Sequence, residues 1–425
     1  MTSKTSPAWL VSGLRTPFAR VDGALRGRDA LELSVPVAQA MAAQLAAGDR
    51  PDFLVWGTVV PSLHWSNIAR ELVVQAKLDP ATPAFSTVLA CSTSMVAVFE
   101  AAGMLGNGVD VALCGGVESM SRVQIGLRQG LSDFIRRFSQ ARSFGEKVDR
   151  LGELRWSEVR LHIPAVKNRA TGKSMGEHCE EMAKQWNIAR ADQDRVALQS
   201  HQRAVQGLAG GFFDDLVVAV DGTAKDGLPR ADSSAEKLAS LKPAFDRSSG
   251  KGTITAGNAS PLTDGAAGVW VASDAGLERL PAGRPRARLV DWEIAAVDIF
   301  NEGLLMAPAY AIPRLLARHG LTLDAIDLWE IHEAFAAQVL CNVAALESED
   351  FLRDKVRVEA RLGRFPWERM NPHGGSVAIG HPFGATGARI LSQAVKELAA
   401  MGPGKRAVVS ICADGGLGTV ALLES

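Results

Sequence analysis

Four side chains that can attack a carbonyl carbon or move a proton are spread along this chain of 425 residues, namely Cys91, His332, His381 and Cys412. Cys91 ends a short β-branched stretch and precedes a helix that is apolar on nearly every side. A thiol at the start of a helix feels the positive end of the helix dipole, which lowers its pKa and favours the reactive thiolate. The pattern therefore predicts a nucleophile at the inner end of a cleft, although a buried free cysteine is more often an inert core residue.

His381 is predicted to lie on a turn, because it stands between Gly380 and Pro382 and the proline excludes a position inside a helix. Small neighbours at this turn allow a substrate to approach closely. Histidine is the usual partner that takes the proton of a cysteine thiol, so His381 is the predicted base. A turn histidine satisfied by backbone groups is the alternative that these residues leave open.

Cys412 closes a strand and opens the run 412–418, which contains three glycines. Glycines there free backbone N–H groups to point inward, as in an oxyanion hole, although Cys412 alone would more often be a core residue. His332 and Glu333 follow another predicted strand, where they would orient water, hold an oxyanion or cap the next helix. The second histidine of a zinc-protease motif is missing here, so no metal is expected.

Two segments between these motifs are predicted to be loops that could bind a ligand. Residues 255–260, followed by 264–267, form a run of small residues with room for a slender ligand, or simply a tight turn. Residues 121–250 are polar and loop-rich, and from 122 to 173 nine Arg and three Lys stand against five acidic residues, a net charge of +7. The predicted helix 127–138 is amphipathic and basic, which suits a membrane surface, a partner or a phosphorylated ligand; packing of its apolar face on its own domain is the alternative.

Bulk composition limits the function classes. A chain of 425 residues with 47% hydrophobic residues suits two or three domains with a large core, and a net charge of −1 gives no reason to expect nucleic acid. Five cysteines without paired spacing indicate a reducing compartment. The first residues show no apolar leader and no stretch of about 18 apolar residues occurs, so a soluble cytoplasmic protein is expected.

Strands and helices are predicted to alternate, which is typical of an α/β fold with a buried sheet. The amino-terminal part is predicted to contain strands at 8–12, 54–60 and 109–114 and helices at 29–47, 67–76 and 95–105. A helix at 388–401 and a strand at 406–412 repeat, near the end, the order seen around Cys91. We interpret this as an internal repeat of about 130 residues whose halves would bring their helix starts to one cleft, chance resemblance being the alternative.

Taken together, these segments resemble the thiolase family over essentially the whole chain. The motifs occur in the family's order: the Cys91 turn, 115–121, 255–260, 332–335, 380–382 and 412–418. The related condensing enzymes of fatty-acid synthesis share the fold but use two histidines where thiolases have a histidine and a second cysteine. His332 stands where most thiolases have Asn, and together with 305–310 and 375–383 it is similar to β-subunits of the trifunctional fatty-acid oxidation complex.

The resemblance implies an α/β thiolase fold, in which two pseudo-repeated βαβαβαββ halves form five α-β-α-β-α layers with an inserted loop domain. The expected division is 1–120 with 251–285 for the N-terminal half, 121–250 for the inserted domain and 286–425 for the C-terminal half. By the same resemblance, the inserted domain would meet the CoA nucleotide, and its basic amphipathic stretch would be available to a partner or a membrane.

The implied reaction is thiolytic cleavage of a 3-ketoacyl-CoA to acetyl-CoA and a shortened acyl-CoA, an acyltransferase reaction with a ping-pong mechanism. His381 would take the proton of Cys91, whose thiolate attacks the keto carbon and keeps the acyl group. Cys412 would protonate the acetyl-CoA enolate and then deprotonate the incoming CoA. The enolate oxygen would be bound by His381 and by His332 or a water that it holds, and the tetrahedral intermediate by the backbone N–H groups of Cys91 and Asp414.

Three further residues are placed by the resemblance. Ser260 and Phe335 match family positions that line the pantetheine channel. Asp414 departs from the family pattern, which favours a small residue there, and its carboxylate is expected to point away from the cleft. CoA enters as a substrate, and the resemblance implies no metal or other cofactor.

Two other functions stay open beside a degradative role in fatty-acid β-oxidation. The same site run in reverse would condense two acetyl-CoA molecules, as a biosynthetic acetoacetyl-CoA thiolase. A thiolase-like lipid-binding or scaffold protein without catalysis is less favoured, because all four reactive positions are intact. The resemblance also implies a homodimer or a dimer of dimers and a hydratase/dehydrogenase α-subunit as partner. The basic amphipathic stretch 127–138 is the candidate for that docking or for peripheral membrane contact.

Overall fold

The computed structural model describes residues 7–425, and within them each strand and helix predicted above is present with ends that differ by a few residues. The strands, numbered in chain order, are β1 (Ala8–Val11), β2 (Ala19–Arg20), β3 (Phe53–Thr58), β4 (Ala84–Phe85), β5 (Val111–Glu118), β6 (Gly126–Leu127), β7 (Leu161–His162), β8 (Thr263–Ala272), β9 (Arg286–Ala296), β10 (Leu328–Ile331), β11 (Arg406–Ala413) and β12 (Leu417–Glu424). The helices are α1 (Ala30–Ala42), α2 (Ile68–Gln75), α3 (Thr93–Met104), α4 (Gln129–Gln140), α5 (Phe144–Gly152), α6 (Met175–Gln185), α7 (Arg190–Ala209), α8 (Ala235–Ala239), α9 (Asp274–Leu277), α10 (Ala307–Arg318), α11 (Ala336–Leu346), α12 (Glu349–Phe351), α13 (Ser376–Ile379) and α14 (Thr386–Met401). No helix between residues 7 and 425 combines the length and the apolar character needed to cross a membrane.

The described chain divides into two compact units. Residues 123–167 form the smaller unit, in which β6 pairs with β7 antiparallel and α4 packs on α5. The helix predicted at 127–138 is α4, and the rings of Phe134 and Phe138 stack along it with their centroids 5.8 Å apart. The larger unit holds the residues up to 122 and from 168 onward. The three-part domain division given above stays a prediction.

One mixed sheet runs through the larger unit in the order β4-β3-β5-β8-β1-β9-β12-β11-β10, with β2 added beside β8. The antiparallel pair β1–β9 forms its centre. Outward from this pair, both directions show two antiparallel pairings followed by a parallel one. This mirrored order confirms the predicted internal repeat, in which β3, α3 and β5 correspond to β10, α14 and β11.

Three apolar cores separate the layers of the larger unit. The innermost core is formed by α3 and α14, which pack between the two halves of the sheet and bury residues such as Met95, Val98, Ile390 and Leu391. Helices α1 and α2 cover the outer face of the amino-terminal half, and α10 and α11 cover that of the carboxy-terminal half. A helix that is apolar on nearly every side must be covered on every side, which is why α3 lies in the centre. The layer order is therefore α-β-α-β-α, and the expected five-layer α/β architecture is confirmed.

The N-terminal ends of α3 and α14 lie in close contact. A Cβ on Gly387 would lie 2.4 Å from the backbone nitrogen of Met95, so only glycine allows this approach. The Ser94 hydroxyl accepts a hydrogen bond from the Ala388 N–H at 2.8 Å. The residues just before the two helices therefore meet at one point between the halves.

The prediction that residues 121–250 are loop-rich is wrong for 175–209, where α6 and α7 lie. Ser174 and Glu177 form a capping box that starts α6, and Met182 is among the buried residues on its inner side. Polar and charged residues dominate the sequence of both helices, so the composition of this region resembles that of a loop.

The prediction of a loop at 264–267 is also wrong, because these residues belong to β8, which is buried throughout. Likewise β5 does not end at residue 114 but continues through Gly115, where a Cβ would lie 2.2 Å from the Trp56 ring. Glycine in this strand makes room for a neighbouring side chain instead of forming a turn.

Replacing Gly387 by alanine is expected to destabilise the fold, because the added methyl group would collide with the backbone of α3. Overpacking of this kind costs about 1–3 kcal/mol. Gly103 in α3 is the matched control: a Cβ there meets nothing within 4 Å, so Gly103→Ala should stabilise the protein by about 0.5–1 kcal/mol. Urea denaturation followed by tryptophan fluorescence measures both variants, and equal stabilities would contradict the close approach of the two helices.

Candidate active site

Cys91 lies in a 3₁₀ turn, Ala90–Ser92, immediately before α3. Ala90 has a φ of 44°, in the left-handed region. Thr93 holds this turn by donating its hydroxyl hydrogen to the Ala90 carbonyl at 2.7 Å and accepting from the Leu89 N–H at 2.9 Å. Strained non-glycine residues of this kind cluster at sites where a side chain must keep one position. The predicted placement of a thiol at a helix start is confirmed.

The His381 ring contacts the Cys91 sulfur. Its Nε2 atom lies 3.1 Å from Sγ, and its Nδ1 atom lies 2.6 Å from the Thr386 hydroxyl. Thr386 donates its hydroxyl hydrogen to the Pro382 carbonyl at 3.2 Å, so its oxygen accepts from the Nδ1–H of His381. The Nε2 atom then carries a lone pair toward Cys91, which is the arrangement of a nucleophile and its base.

The turn that carries His381 depends on Gly380. Gly380 has a φ of 106°, a value that L side chains rarely adopt. A Cβ at this position would also meet the side chains of Leu228 and Thr263 at 2.5 Å and 2.9 Å. The Thr263 hydroxyl, at the start of β8, accepts a hydrogen bond from the backbone N–H of His381 at 3.1 Å. This contact holds the His381 backbone in place. The sequence prediction of a histidine held on a turn is confirmed.

The second histidine, His332, is fully buried beside His381, with the ring centroids 4.1 Å apart. Its Nδ1 atom lies 2.8 Å from the Ser376 hydroxyl oxygen, and that oxygen accepts a hydrogen bond from the Arg389 guanidinium at 2.8 Å. Its Nε2 atom has no hydrogen-bond partner among the described residues. Because a buried polar atom without a partner is costly, this nitrogen is the natural contact for a ligand.

Glu333, the neighbour of His332, does not join this site. Its carboxylate accepts hydrogen bonds from the Ser200 hydroxyl at 2.7 Å, the Asn371 amide at 2.7 Å and the Val377 N–H at 3.1 Å. These contacts tie the segment after β10 to α7 and α13. The carboxylate therefore secures the backbone beside His332 and does not face Cys91.

Cys412 lies at the end of β11, buried near Cys91. Burial, and then the charge of a Cys91 thiolate, raise the pKa of the Cys412 thiol well above its ordinary value. The backbone N–H groups of Cys91 and Asp414 both favour the anionic form of the Cys91 sulfur, as donors to an anion do. The Asp414 carboxylate accepts from the Asn168 amide at 2.8 Å and from the Gly415 N–H at 2.6 Å.

Burial dominates the electrostatics of the reactive pair. It raises the pKa of Cys91 to about 12, with further contributions from the Asp414 and Glu118 carboxylates. It also lowers the pKa of His381 to about 3, in the same direction as the nearby Arg389 charge. The expected net lowering of the Cys91 pKa is therefore wrong, because the loss of hydration outweighs the backbone donors at the helix start. The resting pair is a neutral thiol beside a neutral imidazole.

Cys91, His332 and His381 each offer a ligand atom, and these atoms lie within 4.8 Å of one another. A tetrahedral Zn²⁺ site separates its sulfur and nitrogen ligands by about 3.5 Å, as follows from the metal–ligand bond lengths. The Sγ and Nε2 atoms are closer than that, at 3.1 Å. This spacing suits a shared proton better than a cation. The prediction that no metal is bound stays a prediction.

A cavity of about 670 Å³ lies next to the turn that carries His381, although Cys91, His332, His381 and Cys412 are not among the residues that line it. Leu262 lines this cavity and pairs with the backbone of His381. Ser260 lies on its wall, and Phe335 supports the wall through an edge contact with Phe245, with the ring centroids 5.9 Å apart. The predicted loop of small residues thus borders a space of the size that small-molecule sites have.

Three residues that hold the site together are not identified by the sequence motifs. Thr386 lies in the glycine-rich run after His381, and its hydroxyl there is only a weak signal. Ser376 lies in α13, within the segment 375–383 that carries the resemblance, but the sequence assigns it no role. Glu118 lies in the motif 115–121, to which the sequence assigns no role; it is buried and accepts from the Gly384 N–H at 3.2 Å and from the Thr58 hydroxyl at 2.9 Å.

Comparison with known proteins agrees with this geometry. The sequence-family model of the thiolase N-terminal domain matches residues 8–275, and the family model of the thiolase C-terminal domain matches residues 283–425. This chain belongs to the thiolase family. It is therefore an enzyme of the acyltransferase class, and the resemblance drawn from the order of the motifs is confirmed.

Individual thiolases are similar over nearly the full length. The 3-ketoacyl-CoA thiolase of Yersinia enterocolitica is 38% identical over 423 residues, which are 98% of this chain and 96% of that protein. The acetyl-CoA acetyltransferase structure from Bacillus anthracis has a TM-score of 0.79 at 30% identity and covers 99% of both chains. The Ascaris suum thiolase, solved in complex with coenzyme A, has a TM-score of 0.80 at 27% identity and covers 99% of this chain and 100% of its own.

Alkylation of Cys91 by iodoacetamide is expected to accelerate up to pH 10 without a plateau. Because burial raises the pKa of Cys91 to about 12, the thiolate fraction below that pH grows about tenfold per pH unit. Mass spectrometry of the peptide that contains Cys91 measures the rate, with Cys91→Ala as the blank. A plateau at pH 8 or below would mean that the helix dipole, and not burial, sets the reactivity of the thiol.

Asp414→Asn is expected to accelerate the same alkylation at pH 8 by about threefold to tenfold, because removing the carboxylate charge lowers the pKa of Cys91. Asp192→Asn, an exposed change on α7, is the matched control and should leave the rate unchanged. If Asp414→Asn reacts no faster than the control, the field of this carboxylate does not reach the sulfur.

Proposed function

We propose that this thiolase cleaves 3-ketoacyl-CoA with CoA, giving acetyl-CoA and a shortened acyl-CoA. The observation that carries the proposal is the 3.1 Å contact between Cys91 Sγ and His381 Nε2 beside a ligand-sized cavity. Full-length similarity to the Yersinia enterocolitica 3-ketoacyl-CoA thiolase supports the same substrate class. The reaction requires transfer of the Cys91 proton and cleavage of the carbon–carbon bond next to the keto carbon.

In the first half-reaction, the Nε2 atom of His381 takes the proton of Cys91 as the sulfur attacks the keto carbon. The resulting oxyanion accepts hydrogen bonds from the backbone N–H groups of Cys91 and Asp414. The bond between the keto carbon and its neighbour on the CoA side then breaks. The acyl group stays on Cys91 as a thioester, and the bonding electrons leave with the acetyl-CoA enolate.

The enolate oxygen would lie between the two histidine rings, where the protonated Nε2 of His381 and the unpartnered Nε2 of His332 can donate to it. Cys412 rests as a thiol, because burial raises its pKa, and this form can protonate the enolate carbon. The Cys412 thiolate so formed takes the proton of the incoming CoA thiol. CoA then attacks the thioester and releases Cys91, which recovers its proton from His381.

The cavity offers the chemistry that a CoA ester needs. Arg20, Arg230 and Lys237 line it and bring positive charge for phosphate groups, while Asp232 pairs with Lys237 at 2.8 Å. Ser260 and the wall supported by Phe335 would contact the pantetheine arm. That the Ascaris suum thiolase was solved in complex with coenzyme A supports coenzyme A as a ligand of this chain. CoA is the proposed co-substrate, without a metal or other cofactor.

Condensation of two acetyl-CoA molecules is the second candidate function, since the same site would catalyse both directions. The structural similarity to the Bacillus anthracis acetyl-CoA acetyltransferase favours it. The higher identity to a 3-ketoacyl-CoA thiolase favours cleavage in fatty-acid β-oxidation. A scaffold without catalysis is disfavoured by the contact between Cys91 and His381.

The cytoplasm is the proposed location, and a homodimer or a dimer of dimers is the proposed assembly. The unit 123–167 supports a further contact, with a hydratase/dehydrogenase α-subunit or with a membrane, because it is basic and exposes Phe144 and Trp156. Co-purification with a larger multifunctional protein would support the α-subunit. A stable, fully active homodimer that never binds such a protein would argue against it.

Thiolysis of 3-ketoacyl-CoA esters from acetoacetyl-CoA to 3-ketohexadecanoyl-CoA tests the function. We expect activity on esters longer than acetoacetyl-CoA, and we expect Cys91→Ala to remove it by at least about 10⁴-fold, as loss of a nucleophile does. Acyl-CoA formation is followed by loss of the keto ester's absorbance. Activity confined to acetoacetyl-CoA would support condensation instead, and undiminished activity of Cys91→Ala would refute the mechanism.

A further inference from the structure

The two neighbouring histidines are both buried and both bound through Nδ1 to a hydroxyl group. Burial lowers the pKa of each ring, so both are neutral and each carries a single ring hydrogen. In a neutral imidazole, the partner of one nitrogen decides which nitrogen carries that hydrogen. The partner hydroxyls are Thr386 for His381 and Ser376 for His332, and their own hydrogen bonds differ.

The Thr386 hydroxyl has a second acceptor, the Pro382 carbonyl at 3.2 Å, so it can donate there and accept a hydrogen bond from His381. This contact places the hydrogen of His381 on Nδ1 and leaves Nε2 as an acceptor toward Cys91. The first ring is therefore set as a base.

The Ser376 hydroxyl has the opposite role. Its oxygen accepts from the Arg389 guanidinium at 2.8 Å, and a guanidinium can only donate. Its hydrogen has one acceptor within reach among the described residues, the Nδ1 atom of His332 at 2.8 Å. If Ser376 accepted from both neighbours, its O–H would be a buried donor without a partner, which is costly. The hydrogen of His332 then lies on Nε2, the nitrogen that has no protein partner.

We propose that Ser376 and Arg389 are positioning residues that hold His332 in the Nε2–H form, so that the two adjacent rings have opposite tautomers. One ring accepts the proton of Cys91, and the other presents a hydrogen to the substrate oxygen. This inference rests on the proposed function for its catalytic meaning, but the tautomers themselves are properties of the free protein.

Arg389 is suited to this role because its guanidinium can only donate hydrogen bonds and cannot become an acceptor. It is 2% exposed and lies on α14, the helix that also carries Thr386. Burial lowers its pKa only to about 10, so it stays protonated and remains a donor at neutral pH. With the hydrogen on Nδ1 instead, His332 would turn a lone pair toward the developing negative charge and oppose it.

The tautomers can be measured without substrate. In protein labelled with ¹⁵N-histidine, long-range ¹⁵N–¹H correlation spectra distinguish the protonated ring nitrogen from the bare one, and His332→Asn and His381→Asn assign the two rings. We expect His332 as Nε2–H and His381 as Nδ1–H. The same tautomer in both rings would overturn the proposal whatever the enzyme cleaves, whereas opposite tautomers in a protein without thiolysis would refute only the proposed function.

Kinetics test whether Ser376 acts through His332. Ser376→Ala should lower kcat for thiolysis by about 10- to 100-fold with little change in KM, somewhat less than the loss of a whole oxyanion donor. In a His332→Asn background, where the amide donates without help from Ser376, the same change should cost less than about threefold. Ser392→Ala changes a buried serine on α14 that lies outside the site, and it should leave kcat unchanged. An equal loss from Ser376→Ala in both backgrounds would overturn the proposal.

Discussion

The contact between the starts of α3 and α14 is the constraint on which this site depends. Each half of the protein supplies one of these largely buried helices, and each helix is preceded by one reactive side chain, Cys91 or His381. The two residues are 290 positions apart in the chain, yet their reacting atoms lie 3.1 Å apart. Gly387 permits the approach, because any side chain there would strike the backbone of the other helix.

The same central position determines the chemistry. Water is largely excluded there, so the thiol and the imidazole both rest without charge, as the opposite shifts of their pKa values show. In the proposed mechanism, charge appears only when the substrate brings a carbonyl to the pair. The donors that we propose for that charge are already in place: the backbone N–H groups of Cys91 and Asp414 and the buried imidazole of His332. In a site of low polarity, such donors do not have to reorganise during the reaction.

The sequence was most informative where neighbouring residues predict the local structure around a reactive residue. Gly380 and Pro382 identify the turn around His381, and the apolar stretch after Cys91 identifies the central helix. The thiolase family, the α/β fold and its repeat all followed from such segments and their order.

What could not be predicted depends on contacts distant in the chain. The roles of the Thr386 and Ser376 hydroxyls are visible only from their contacts with the rings of His381 and His332. The direction of the pKa shift at Cys91 needs the extent of burial, which local sequence does not contain. Residues 264–267 resemble a loop in sequence because this strand, which other layers cover on both faces, is made of small residues there. Helix α7 resembles a loop because it has more polar and charged residues than buried ones.

The central pairing of the sheet also bears on how the molecule is made. Strand β1 lies between β8 and β9, so residues Ala8–Val11 are synthesised about 250 residues before either partner. At translation rates of about 5–20 residues per second, that strand waits about 12–50 seconds on the ribosome for its neighbours. The amino-terminal half therefore cannot close on its own as it emerges, and a truncated chain that stops before residue 263 would leave its first strand without a place in the sheet.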